Sequence, residues 1–168
     1  MPKTGANEAP EWVEAWRIVK RRWAATAFDG EGPRRFGGRW TAPGRPVVYV
    51  SDSRALAVLE VLAGLGSTAI LPAWVLIGVR FPSSLMSVVE PPDLPDGWDA
   101  APPGPPSREV GDRWLVEAPS AVLRVPSAIV PAESNYLLNP LHPDFAQVEI
   151  GEPRVQPQLL RLAGGSGR

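Results

Sequence analysis

Residues 46–65, PVVYVSDSRALAVLEVLAGL, set a short strand directly against a helix. The run 46–51 alternates. Val48 and Val50 fall on one face and Val47 and Tyr49 on the other. Asp52 or Ser53 then offers an N-cap, and the helix predicted over Ser53–Leu65 ends near Gly64 and Gly66. The helix is apolar nearly all round, the pattern of a buried one. Glu60 is its exception, the only charged side chain between Arg54 and Arg80. Its neighbours one turn away, Ala57, Ala63 and Gly64, are small and leave space above the carboxylate. That space suits a ligand; the competing reading is one solvent-facing spot on a buried helix, and the helix by itself does not choose.

Working outward, Trp16–Val19 reads as a first strand and Ala73–Phe81 as the strand that follows the helix. Ala121–Val130 is a strand interrupted by Pro126, which implies a bulge or an edge. Gln147–Ile150 and Val155–Leu160 read as closing strands, and Ser107–Glu117 as a second helix. The Pro91–Pro106 stretch is predicted to be a long loop packed on the domain, because Trp98 within it needs a surface to cover. With 21 prolines and 16 glycines the elements are short and a helix bundle is disfavoured. Residues 1–11 and the GGSGR tail at 164–168 read as frayed ends. Mixed strands with two helices in this order indicate an α+β domain.

A chain of 168 residues, 44% hydrophobic, fits one domain with one core. The absence of cysteine removes disulfides, thiolate nucleophiles and cysteine zinc sites, and with a single histidine it argues against a metal centre. The polar start MPKTGANEAPEW has no secretory pattern, and the 55–79 run is broken by Glu60, glycines and Pro72, so a cytoplasmic location and no membrane span are expected. A net charge of −1 argues against direct nucleic-acid binding. The charge is uneven, however. Residues 1–54 hold ten Lys/Arg against six Asp/Glu, a balance suited to a small anionic ligand or to ordinary solvated arginines.

Two further segments carry chemistry. In Gly30–Trp40, GEGPRRFGGRW, the glycines allow close backbone approach and Arg39 offers a bidentate fork, which together suggest a phosphate clamp. The spacing is neither a Walker A loop nor a dinucleotide fingerprint, and a tight turn with a surface arginine explains it nearly as well. Val125–Pro143, VPSAIVPAESNYLLNPLHP, gathers Ser127, Asn135, Asn139 and His142. Asn-Pro and His-Pro mark turns, so Asn139 and His142 read first as loop chemistry, and no serine-hydrolase elbow surrounds Ser127.

Taken in order, WRI at 16–18, GGRW at 37–40, VVY at 47–49, the helix with Glu60, GDRWL at 111–115, and VPSA at 125–128 followed by NYLLNP at 135–140 resemble the motifs of the RES domain. The resemblance covers about residues 15–160, leaving 1–14 as an extension and 161–168 as a tail. Thr41 stands where the family often has Asn, and QPQL at 156–159 where it often has an Asp-x-Arg-Leu ending. The resemblance implies an ADP-ribosyltransferase-like fold, with two small mixed sheets forming a cleft for NAD. It also implies the toxin of a type II toxin–antitoxin system, paired with an Xre-type antitoxin and assembled with it as a homo-oligomer, that degrades NAD as a phosphorylase or glycohydrolase.

In that reading the nicotinamide ribose lies over Glu60, which stabilises the cationic ribosyl centre left when nicotinamide departs. Arg17 and Arg39 bind the pyrophosphate or an attacking inorganic phosphate, Tyr49 packs against nicotinamide or ribose, and Ser127 and Asn135 hydrogen-bond near the ribose. No cofactor is implied, since NAD is the substrate. The alternatives are ADP-ribosyl transfer to a protein and a non-catalytic nucleotide-binding protein.

Overall fold

The computed structural model describes residues 9–65 and 74–155. In chain order these form β1 (Trp12–Lys20), a 3-10 segment, α1 (Glu31–Phe36), β2 (Val48–Ser51), α2 (Arg54–Leu65), β3 (Trp74–Pro82), β4 (Met86–Val88), α3 (Pro105–Glu117), β5 (Val122–Pro126), β6 (Ser134–Leu138), β7 (Glu149–Ile150) and β8 (Arg154–Val155). The architecture is α+β, as the order of elements predicts.

The strands run β4-β5-β6-β2-β1-β3-β7, with β8 also pairing β3. β4 and β5 are parallel and the other pairs antiparallel. β1 and β3 pair along nine residues, and β2 and β6 along four. Between β1 and β2 the ladder narrows to one pair, Trp16 opposite Ser51. The two small sheets implied by the resemblance are therefore one curled sheet pinched at that seam, and only the half holding β4 and β5 is mixed. At the pinch Arg17 Nη1 donates to Tyr49 O at 2.7 Å, a side-chain bond where the backbones diverge.

The alternation in β2 is realised on both faces. Val48 and Val50 pack with Phe81, Val122 and Leu138, while Val47 packs with Trp40, Trp114 and Leu137, with Tyr49 beside them. Ala57 of α2 lies against Ile18, Trp74 and Leu76. Ser53 is the residue that caps α2, its Oγ accepting from Leu56 N at 3.0 Å. Asp52 instead accepts from Ser134 N at 2.8 Å, tying the start of α2 to β6. In α3, a Cβ added to Gly111 would sit 1.9 Å from Trp40 O, so only glycine lets this helix lie against the GGRW loop.

Several elements differ from their predicted bounds. β1 begins four residues before Trp16, and α3 two residues before Ser107, at a proline that the first turn of a helix accommodates. The strand expected over 121–130 stops at Pro126, where the chain turns back, and Ser134–Leu138 forms a strand of its own. α1 and β4 are additional. Of the stretch 147–150 only Glu149 and Ile150 are strand, and of 155–160 only Val155 is described and paired, so the rest of that strand and QPQL lie outside the described residues. The same holds for Gly66, Ala73, most of the amino-terminal stretch and the GGSGR tail. The Pro91–Pro106 stretch packs as expected: Trp98 stacks on Trp40 with ring centroids 5.7 Å apart. Among the described residues no helix is long and apolar enough to cross a membrane.

Candidate functional site

A cleft of about 280 Å³ opens at the pinched seam, between α2, the middle of β1, β2 and the 37–40 loop. Arg17, Arg39, Tyr49, Glu60 and Asn135 all line it. These five residues come from five different elements, and the fold brings them together. Ser127, the sixth expected site residue, lies behind Glu60, fully buried and off the cleft surface.

Glu60 projects from α2 with one oxygen clamped. Oε1 accepts from Ser127 Oγ at 2.8 Å and from Asn135 Nδ2 at 2.6 Å. Among the described residues nothing donates to Oε2, which leaves it available to the cleft. Ser127 Oγ also accepts from the backbone N–H groups of Ile129 and Val130, both at 3.1 Å. Its two lone pairs are thus occupied and its only proton points at Glu60, so it supports the carboxylate and is not poised as a nucleophile. The expectation that Ser127 and Asn135 face the ribose shifts accordingly, since both direct their hydrogen bonds to Glu60.

Arg17 is held in the seam by Tyr49 O, and its Nε is buried with no partner among the described residues. Desolvation pulls its pKa down to about 10, opposed by the charge of Asp29, so it remains a cation at neutral pH. A buried guanidinium with an unused donor beside a cleft is a ready partner for an anion.

Tyr49 presents its ring to the cleft while its hydroxyl organises the GGRW loop. The hydroxyl accepts from Trp40 N at 3.3 Å and lies 2.8 Å from Thr41 Oγ1. Burial pushes the phenol up to about 12, so it stays neutral. Gly38 packs so closely on this ring that an added Cβ would meet the hydroxyl at 2.7 Å, which accounts for the second glycine of the motif. Thr41 is therefore part of the scaffold of the site.

Arg39 lines the cleft, yet Nη1 donates to Trp98 O at 3.2 Å and Ala100 O at 2.9 Å. It latches the proline-rich loop to the cleft wall. α3 supports the same wall from behind: Ser107 Oγ donates to Arg39 O at 2.6 Å, Arg108 Nε donates to Gly38 O at 3.1 Å, and Asp112 accepts from Ala42 N at 3.1 Å. These three supports were not legible beforehand, although Asp112 lies inside GDRWL. Asn139 and His142 do serve the turn, Asn139 Oδ1 accepting from Leu141 N and His142 Nδ1 from Asp144 N, and neither lines the cleft.

A curled, pinched sheet thus cradles a clamped carboxylate and a buried arginine. The family model described as the RES domain matches residues 14–159. A protein named Toxin Res from Photorhabdus laumondii is 38% identical over 130 residues, covering 77% of this chain and 83% of that one. A Prs ADP-ribosylating toxin from a Sphingobium species is 37% identical over 156 residues, covering 88% and 97%. The chain belongs to the RES-domain family. Its fold is shared with a chain in the crystal structure of the M. tuberculosis MbcT-MbcA toxin–antitoxin complex, at a TM-score of 0.75, 19% identity, and coverage of 92% and 90%.

Proposed function

We propose that this protein is the toxin of a toxin–antitoxin pair and that it acts by cleaving the nicotinamide–ribose bond of NAD. The observation that carries the reading is Glu60, with Oε1 fixed by two donors and Oε2 left to the cleft. In the reaction the bond between ribose C1′ and the pyridinium nitrogen breaks, and its electron pair leaves with neutral nicotinamide. Positive charge then builds on C1′ and the ring oxygen, and a fixed carboxylate beneath that centre stabilises it more than it stabilises the ground state. An oxygen of phosphate or water bonds to C1′ and gives up a proton, yielding ADP-ribose 1-phosphate or ADP-ribose.

Arg17 supplies the cationic partner for the pyrophosphate or for the attacking phosphate, and its place in the cleft wall supports this. Arg39 would join it after releasing the carbonyls of Trp98 and Ala100. Tyr49 offers its ring to nicotinamide or ribose. Because nicotinamide leaves readily, the chemistry calls for no metal or cofactor.

An enzyme that consumes a central cytoplasmic metabolite needs restraint. An antitoxin, of Xre type by family resemblance, would supply it by covering the cleft; the complex containing the structural relative supports such a partner. A second reading, transfer of ADP-ribose to a protein, draws support from the name of the Sphingobium relative, and it would use the same Glu60 and the same bond cleavage. Expression in a bacterial host tests the proposal. Growth should stop, cellular NAD should fall, and co-expression of the neighbouring gene should restore both. Unimpaired growth and NAD with folded wild-type protein present would overturn it.

A further inference from the structure

Asn135 is a primary amide with two orientations related by a 180° flip, which exchanges its carbonyl oxygen and its NH₂ group. Only one of them gives Glu60 a donor. The other would aim a carbonyl oxygen at the carboxylate and repel it. The carboxylate itself favours the first, and a residue on the neighbouring strand holds the amide in it. Ser51 is its cross-strand partner, and Ser51 Oγ donates to Asn135 Oδ1 at 2.7 Å. Ser51 lies at the floor of the cleft and is only 5% exposed, so little water competes for that bond. A hydroxyl can donate or accept and so does not select the flip, but by donating to Oδ1 it anchors the amide whose Nδ2 reaches Glu60 at 2.6 Å. Ser51 also faces Trp16 across the single β1–β2 pair, which anchors the relay at the pinch that forms the cleft.

We infer that Ser51 is a positioning residue for the reaction: it anchors the Asn135 amide through Oδ1, so that Nδ2 stays on Glu60 Oε1 and Oε2 is kept toward the substrate. The inference rests on the proposed role of Glu60 in NAD cleavage. Ser51 acts through Asn135 and Glu60, so its removal should slow the chemical step more than it weakens substrate binding.

The experiment compares wild type, S51A, S51T, N135A and the S51A/N135A double variant for kcat and KM with NAD. Side-chain amide spectra of ¹⁵N-labelled wild type and S51A are recorded alongside. S51A should lower kcat about threefold to tenfold, the effect of one lost hydrogen bond, with KM within about twofold of wild type. S51T keeps the hydroxyl and should restore most of the rate. On the N135A background S51A should cost almost nothing further, because the group it orients is already gone. The Asn135 NH₂ resonances should move toward free-amide positions in S51A. Wild-type kcat in S51A, losses from S51A and N135A that multiply, or unchanged Asn135 resonances would each overturn the inference. If S51A does not fold, S51C, close in size but a weak donor, replaces it. A wild-type protein that releases no nicotinamide would overturn the NAD reading instead, and the amide spectra, which need no substrate, would still decide whether Ser51 sets the amide.

Discussion

Replacing Ser127 by alanine removes one oxygen and leaves three partners short. Oγ donates to Glu60 Oε1 at 2.8 Å and accepts from Ile129 N and Val130 N at 3.1 Å. An unsatisfied buried donor costs about 1–3 kcal/mol, and a hydrogen bond to a charged group contributes about 1.5–3 kcal/mol. The two backbone donors are only partly buried, so the lower end applies throughout, and the sum comes to about 3.5 kcal/mol. For a chain of 168 residues, at about 2–4 °C per kcal/mol, Tm should fall by about 7–14 °C. Glu60 would then be held by Asn135 alone, and loss of one charge-assisted support should lower kcat about tenfold to a hundredfold. The assay pairs a circular-dichroism melt with nicotinamide release measured well below the variant's own Tm. A Tm within about 1 °C of wild type together with an unchanged kcat would refute the reasoning. A lowered Tm with normal kcat would leave Ser127 as a turn-former and remove it from the support of Glu60.

The remaining predictions concern the cleft and its wall. Glu60→Gln should cut nicotinamide release by more than about a hundredfold, yet leave Tm within about 2 °C, since the amide oxygen can still accept from Ser127 and Asn135; substantial turnover by that variant would count against the carboxylate. Arg39→Ala should raise KM for NAD and also speed proteolysis within residues 97–104, because the same guanidinium holds the carbonyls of Trp98 and Ala100; an unchanged digestion pattern would argue against the latch. Gly111→Ala should cost at least about 3 kcal/mol in urea unfolding, because a Cβ 1.9 Å from Trp40 O can be relieved only by moving backbone. A near-neutral result there would contradict the packing of α3 on the GGRW loop.

The parts of the fold that show in the sequence are those with one dominant pattern. β2 and α2 are legible because period-two alternation passes directly into an apolar helix through a capping Ser53. Trp98 in a proline-rich stretch needed a surface, and Trp40 provides it. β6 was hidden because SNYLL sits between turn-forming residues, and its pairing with both β2 and β5 is set by tertiary structure. α1, six residues of EGPRRF, has neither the length nor the apolar stripe that marks a helix; ion pairs of Glu31 with Arg34 and Arg35 accompany it instead.

The site divides in the same way. Glu60 stood out as a lone charge in an apolar helix, and Arg39 as a fork among glycines. That Arg39 would also latch the proline-rich loop, that the Tyr49 hydroxyl would hold Thr41, and that Ser127 would stand behind Glu60 all depend on contacts between segments far apart in sequence. Ser51 carries no local signal at all. Its role arises from cross-strand register, which alternation within one strand does not specify.

The most direct test of the central claim is to incubate the purified wild-type protein with NAD and inorganic phosphate and measure free nicotinamide, with the mass of the second product. Nicotinamide should appear in an amount equal to the NAD consumed, together with ADP-ribose 1-phosphate or ADP-ribose, and both should be lost in Glu60→Gln. Intact NAD after prolonged incubation with folded wild-type protein would contradict it.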